Sequence, residues 1–484
     1  MSSINRSSCV RAPRPCAIFA VCCTVLLLAT QPAAALAQVG GVYVDPQGIL
    51  RETTLLDESH LRDMLRDAQE TLQPPHDVSA ASPMRKVSLR RLEQEVSRLS
   101  AAGEPLPSAI RFLAGLTSLK YVFLYPESSD VVLAGPAEAW ELLDTGDIVG
   151  KQSRRPVLQL DDLIVGLRYA FDLQPDAGFL GCSIEPTEQG VKAHATFVRR
   201  LAGFDRDQLP QVIEGMEQAM GPQDVLVYGV PGSTRFALEM IAADYRLKRL
   251  ALAHDPSPVP KLPSFLDLAE KSVTGGPQRQ HRWWFVGHFD AIRHSADAQA
   301  FEFEGNGLKV DTAPTQKAGQ GRDAKPTRAA KQFAELATRN MPALAEKIPA
   351  FAELQNLVSL AVAAEIIRRQ AGAEHREVRG RDRQADESEH EPAAAESSGP
   401  WQPMQFLDEE VCLIARLKTP KQTPSLANAR FVKDQFWIFS TSGGVEIDPR
   451  QMADDEQLKP ARGRALEEAR DASRPAADGR WWWD

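Results

Sequence analysis

Past residue 37 the sequence is almost without cysteine: of six, only Cys182 and Cys412 remain. Two cysteines cannot build a disulfide scaffold, and a structural zinc site needs more ligands than they supply. Basic blocks are missing as well. Residues 1–37 hold three Arg and no acid, so the rest carries 53 Lys+Arg against 65 Asp+Glu, a net charge near −12. An acidic chain of this kind is poorly suited to nucleic acid or an anionic membrane surface. No Gly-x-Ser-x-Gly elbow, His-Glu-x-x-His helix, phosphate loop or dinucleotide fingerprint occurs. The runs Gly305-Asn306-Gly307 and Gly319-Gln320-Gly321 lack the strand before and helix after that a phosphate cradle requires. No cofactor is implied. Beyond the N-terminus no apolar run is read as reaching the ~20 residues of a bilayer span, so no transmembrane segment is expected there.

What is present begins with a three-part leader. Arg6, Arg11 and Arg14 precede an apolar stretch, Cys16 to Ala29, and Gln31-Pro32 breaks it. Small residues at Ala35 and Ala37 then mark a cleavage site. The expectation is a signal peptide over 1–37 and a secreted or periplasmic chain.

The pattern along the chain predicts an α+β fold. An α+β main domain is expected over 38–311, a flexible loop over 312–330, and a helical segment over 331–370. A disordered charged linker follows over 371–399, then a C-terminal β-like block over 400–450 and a charged tail over 451–484. Within the main domain, 57–72 reads as a helix with Leu61, Met64, Leu65, Ala68 and Leu72 on one face, and Ser88 caps another. Leu119–Tyr125 and Val131–Ala134 read as a hairpin, with Pro136 opening a short helix through Leu143. Phe179–Ile184 and Val191–Val198 read as a strand pair, and Val225–Tyr228 as a buried strand leading to a helix over Thr234–Leu250. Strands and helices interleave without the regular spacing of a doubly wound sheet. One sequence echo stands out: Gly40-Gly41-Val42-Tyr43-Val44-Asp45-Pro46 against Gly443-Gly444-Val445-Glu446-Ile447-Asp448-Pro449, with Cys182-Ser183-Ile184-Glu185-Pro186 a weaker copy. Each is a short strand stopped by Pro, which coincidence in strand-end chemistry also explains.

Several of these segments recur together in order: Gly41–Gly48, Tyr121-Val122-Phe123 with Val132–Glu138, Gly181–Thr187 and Arg282-Trp283-Trp284-Phe285. In this the sequence resembles an uncharacterised family of exported bacterial proteins, domain-of-unknown-function family 1598, over roughly 40–450. The resemblance implies export and a shared fold and transfers no catalytic residue.

Three constellations carry chemistry. His281, His288, Asp290 and His294 have metal-ligand types, but the aromatics between them read as core, and no metal site is assigned. Cys182 could act as a nucleophile beside His194 or His288, although burial or pairing with Cys412 is the plainer role. The run from Asp224 through Gly229-Val230-Pro231-Gly232 to Ser233, Thr234 and Arg235 leads a strand into a helix N-terminus. Ser233, Thr234 and Arg235 are therefore the candidate ligand-binding residues, against simple capping. The functional expectation is a non-catalytic protein that binds or assembles with an unknown envelope or extracellular protein, Trp481-Trp482-Trp483 offering an aromatic contact. An exported hydrolase built around Cys182, His288 or the 229–235 turn is the alternative.

Overall fold

The computed structural model describes residues 38–39, 42–45, 47–52, 71–171, 178–201, 204–271, 278–314, 326–382, 400–408, 411, 414–432, 435–475 and 478–484. The expected leader, most of the expected helix at 57–72, residues 315–325 and 383–399, and Cys412 lie outside the described residues.

Alternation and its punctuation set the elements. The chain runs β1 (Ser82–Ser88), α1 (Leu89–Ala102), β2 (Tyr121–Tyr125), β3 (Asp130–Ala137), α2 (Leu160–Phe171), β4 (Leu180–Pro186), α3 (Glu188–Arg200), α4 (Leu209–Met220), β5 (Gln223–Tyr228) and α5 (Arg235–Ala251). It continues through α6 (Phe265–Lys271), β6 (Gln278–Gly287), β7 (Ala291–His294), β8 (Ala300–Glu304), β9 (Leu308–Pro314), α7 (Arg328–Arg339) and α8 (Pro349–Asp382). It ends with β10 (Gln422–Thr423), β11 (Ala427–Val432), β12 (Gln435–Ile447), β13 (Leu458–Pro460), α9 (Ala465–Ala472) and β14 (Trp482–Trp483). The architecture is α+β. One sheet has the order β13-β7-β8-β2-β3-β1-β14, and the other β9-β6-β12-β4-β5-β10 with β11 also on β12. Most pairs are antiparallel; β6 runs parallel to β12 and β7 to β13.

The β2–β3 hairpin forms because Pro126 starts a tight turn that Ser129 completes in the left-handed region. Pro136, expected to open a helix, instead lies inside β3, between the Arg85–Gly135 and Ser82–Ala137 pairs where the register to β1 shifts. Its carbonyl accepts from Thr117 N, and a proline without N–H is accommodated at such an irregularity of the ladder. The expected strand at 191–198 is also a helix, α3. Thr187 Oγ1 accepts from Gly190 N and caps it, and Phe197 turns inward against Gly215 of α4. Val191, Ala193, Ala195 and Phe197 alternate by chance, and the cap decides the period.

α2, α5 and α8 form a helical layer, in which α5 lies on β12 and β4 of the second sheet. By length and composition, Pro349–Ala371 could cross a membrane, a property missed in the sequence because Glu353 and Glu365 interrupt its run. Here its most apolar window is wholly buried, packed against α2 and α5. Gly166 of α2 brings the two backbones close, since a Cβ there would meet Leu360 O at 3.5 Å. In the first sheet, Leu466 of α9 and Trp483 close one face over Phe123, Tyr125, Val132 and Ala300. The tryptophans of the charged C-terminal stretch therefore make their contact within the chain, Trp482 opposite Val87 and Trp483 opposite Lys86.

β12 is the central strand of the second sheet although it comes from the C-terminal block. It lies between β6 and β4, with Gly444 opposite Ser183 and Val445 opposite Cys182. Two of the echoing segments are thus neighbouring strands. The third belongs to a small sheet of Gln38–Val39, Val42–Val44 and Leu50–Glu52. The aspartates of the first and last segments have a common use: Asp45 Oδ1 accepts from Gln47 N and Ile49 N, and Asp448 Oδ1 from Gln451 N.

Candidate functional site

The turn after β5 needs Gly229, which has φ +76° and where a Cβ would lie 2.7 Å from Phe179 O. Thr234 then caps α5: its Oγ1 accepts from Ala237 N (3.3 Å) and donates to Pro231 O (2.8 Å). Ser233 accepts from Leu417 N through its carbonyl. Arg235 turns the other way, into the protein. The three candidate residues are adjacent in sequence but do not converge, and the hydroxyl of Thr234 is taken up by the turn.

Arg235 meets three carboxylates from three helices. Its Nη1 donates to Asp162 Oδ2 of α2, and its Nη2 pairs with Glu353 Oε1 of α8 and with Glu239 Oε1 of α5, the last 3.0 Å away. The amide oxygen of Gln159 accepts from Nε and Nη2 at 3.1 and 3.2 Å in its satisfied orientation. Side-chain exposure is 11% for Arg235, 4% for Asp162, 0% for Glu239 and 2% for Glu353. Burial pushes Asp162 up to about 6 and Glu353 up to about 7 against the pull of Arg235, and it drives Glu239 well above the usual carboxylate range.

Cys182 is buried and free, and its thiol is raised by burial first and by Asp244 second. A thiol held protonated is a weak nucleophile. The side chains acting on it are Asp244, Lys248 and Arg282, with no histidine among them. His194 lies half-buried on α3, and His288 is exposed beyond β6. Lys248 Nζ sits 2.9 Å from Asp244 Oδ2, both fully buried, and Gly444 N donates to Asp244 Oδ1. Sequence reasoning missed this pair; its signal is the Gly443-Gly444 step that lets α5 approach β12.

The histidines are dispersed. His281 is buried on β6, 3.1 Å from Thr327 Oγ1, His294 Nδ1 is 2.9 Å from Ser295 O, and Asp290 is exposed. Among the described residues, no three His, Cys, Asp or Glu side chains are placed to share a metal ion.

The other face of the second sheet is different. α5 covers the inner side at β4, β6 and β12, where Ile184 and Trp283 point, and Val225 is buried on the same side. On the outer side Leu226 is 57% exposed, Tyr228 37% and Phe179 36%. Val225–Tyr228, expected to be buried throughout, is therefore apolar on both faces and covered on one. Register makes the patch continuous. Tyr228 pairs with Gly181 and Leu226 with Ser183, while the Phe179 and Tyr228 rings lie 5.4 Å apart. Ser183 Oγ is 3.3 Å from Tyr228 OH. Across the floor formed by Ser183 and Gly444 stands Trp284, half-buried, with the Arg282 guanidinium 5.3 Å over its ring. Asp224, Glu185 and Glu446 rim the patch on the same face.

Residues 182–265 match the family described as a protein of unknown function, DUF1598. The DUF1598 segment opens on Cys182 in β4 and closes on Phe265, the first residue of α6. It supplies Leu226 and Tyr228 of the patch and Arg235 and Glu239 of the buried cluster, while Phe179, Asp162 and Glu353 come from outside it. No curated protein and no solved structure matches the chain.

Proposed function

We propose that this chain is an exported, non-catalytic binding protein that docks an envelope or extracellular protein on the outer face of its second sheet. The observation that carries the reading is the exposed cluster Phe179, Leu226 and Tyr228 on one continuous surface. A contiguous apolar patch with a polar rim is the usual form of a protein contact. Glu185 of the rim is already paired with Arg282, 3.6 Å away, and the remaining acids Asp224 and Glu446 favour a partner that surrounds apolar side chains with Lys or Arg. The leader at 1–37 supports export. Against the hydrolase alternative stand the protonated, buried Cys182 and the dispersal of His194, His288 and the 229–235 turn.

The test is capture from the envelope fraction with the full mature chain and with Leu226→Asp/Tyr228→Ala. The reading expects a protein retained by the first, released by moderate salt, and absent with the folded variant. Identical capture by both would contradict it.

A further inference from the structure

The surroundings of Arg235 hold more acid than one guanidinium can neutralise. Three carboxylates from α2, α5 and α8 contact it, each almost wholly buried, with formal charge −2 if all are ionised. Neither oxygen of Glu239 receives a well-directed hydrogen bond, nor does Asp162 Oδ1. Two further acids act on the cluster. Asp147, buried beside the start of α8, raises Glu239 and Glu353, and Asp161 of α2 raises Asp162. Arg111 acts on Asp161, which also accepts from Ala415 N, and Gln159 is neutral. An ionised carboxylate without a matching cation is strongly disfavoured out of water.

We propose that the Arg235 cluster is a proton-dependent clamp on α2, α5 and α8, closed while Asp162, Glu239 and Glu353 share bound protons and loosened when these are lost. A proton on Glu239 or Glu353 turns two repelling carboxylates into a neutral acid beside an ion pair, which is the arrangement the geometry fits. Asp162 and Glu353 are raised to about 6 and about 7, and Glu239 is raised well above its ordinary value. The sign follows. The folded chain binds these protons more tightly than the unfolded chain, so this contribution is full below the ordinary carboxylate range and is lost as pH rises through about 6 to 7 and beyond. The clamp loosens toward alkaline pH.

The experiment compares urea unfolding of the full mature chain with Glu239→Gln and Glu353→Gln between pH 5 and 8.5. The wild-type midpoint should fall across this range, and in each variant the fall should shrink to about half or less. Parallel falls in wild type and variants overturn the proposal, as does a wild-type midpoint that is flat or rises. Infrared spectroscopy of the wild-type chain covers the case in which the variants do not fold. A buried protonated carboxyl band present at pH 6 and lost by pH 8.5 supports the clamp, and its absence at pH 6 overturns it. Hydrogen exchange adds location. Once corrected for intrinsic rates, amides of Phe236–Met240 and Ala350–Leu354 should open more at pH 8 than at pH 6, while those of β2 and β3 should not. Uniform opening would contradict a local clamp.

Discussion

Arg85 donates from Nε to Asp484 Oδ1 at 2.8 Å and from Nη2 to Asp484 Oδ2 at 3.1 Å, joining the first strand of its sheet to the last. The remaining donors of Arg85, fully buried, go to the carbonyls of Val78, Ala80 and Ala114. The two ends of the fork differ in worth. Asp484 is 45% exposed, so Asp484→Asn should lower stability by less than about 1 kcal/mol. Arg85→Met strands three carbonyl oxygens and should cost about 3 kcal/mol. Urea unfolding of both variants measures the difference, and equal losses would show that the carboxylate, not the buried carbonyls, sets the value.

Gly443 and Gly444 are expected to tolerate nothing larger. A Cβ on Gly443 would lie 2.3 Å from Asp244 Oδ1 and 2.4 Å from Trp283 O, and one on Gly444 2.0 Å from Cys182 O. Either Gly→Ala change should cost about 3 kcal/mol or more, the upper range for overpacking. Gly103, left-handed at φ +67° with open space around it, is the control. Gly103→Ala should cost only about 1 kcal/mol, the left-handed penalty alone. Melting temperatures of the three variants give the ranking.

Thr234→Ala should lower stability by about 1 kcal/mol through loss of the cap. Inorganic phosphate should leave the wild-type melting temperature unchanged, because the hydroxyl and the arginine beside it are occupied within the protein. A phosphate-dependent rise abolished by Thr234→Ala would restore the anion-site reading.

Protease is expected to cut first within 383–399, where composition offers no apolar anchor. The two pieces should still elute together. Glu93 accepts from Trp401 Nε1, Gln405 N and Phe406 N, and β12 is paired on both sides by strands from the first piece. Separation of the nicked halves on gel filtration would contradict this pairing.

How much of this was legible in sequence depends on the range of the contact. The β2–β3 hairpin, the α1 cap at Ser88 and the start of α5 are local, and the turn and capping residues announced them. The placement of β12 between β4 and β6 was not, because nothing near residues 435–447 encodes a partner some 250 residues away. The echo of Gly444–Asp448 with Cys182–Glu185 hinted at equivalent strands but not at their adjacency. Arg235 was singled out for its position at a helix start. Its direction was hidden because Asp162 and Glu353, which draw it inward, lie on helices distant in sequence. The outer patch was missed for a simpler reason: an apolar run such as Val225–Tyr228 does not say which of its faces is covered.

Photo-crosslinking from the patch itself tests the proposed docking face most directly. A crosslinking amino acid at Leu226 in the full chain, irradiated in the native envelope, should give one discrete adduct. The same group at Met404, the most exposed of the large apolar residues described, should give none. Equal adducts from both positions, or none from Leu226, would contradict the account.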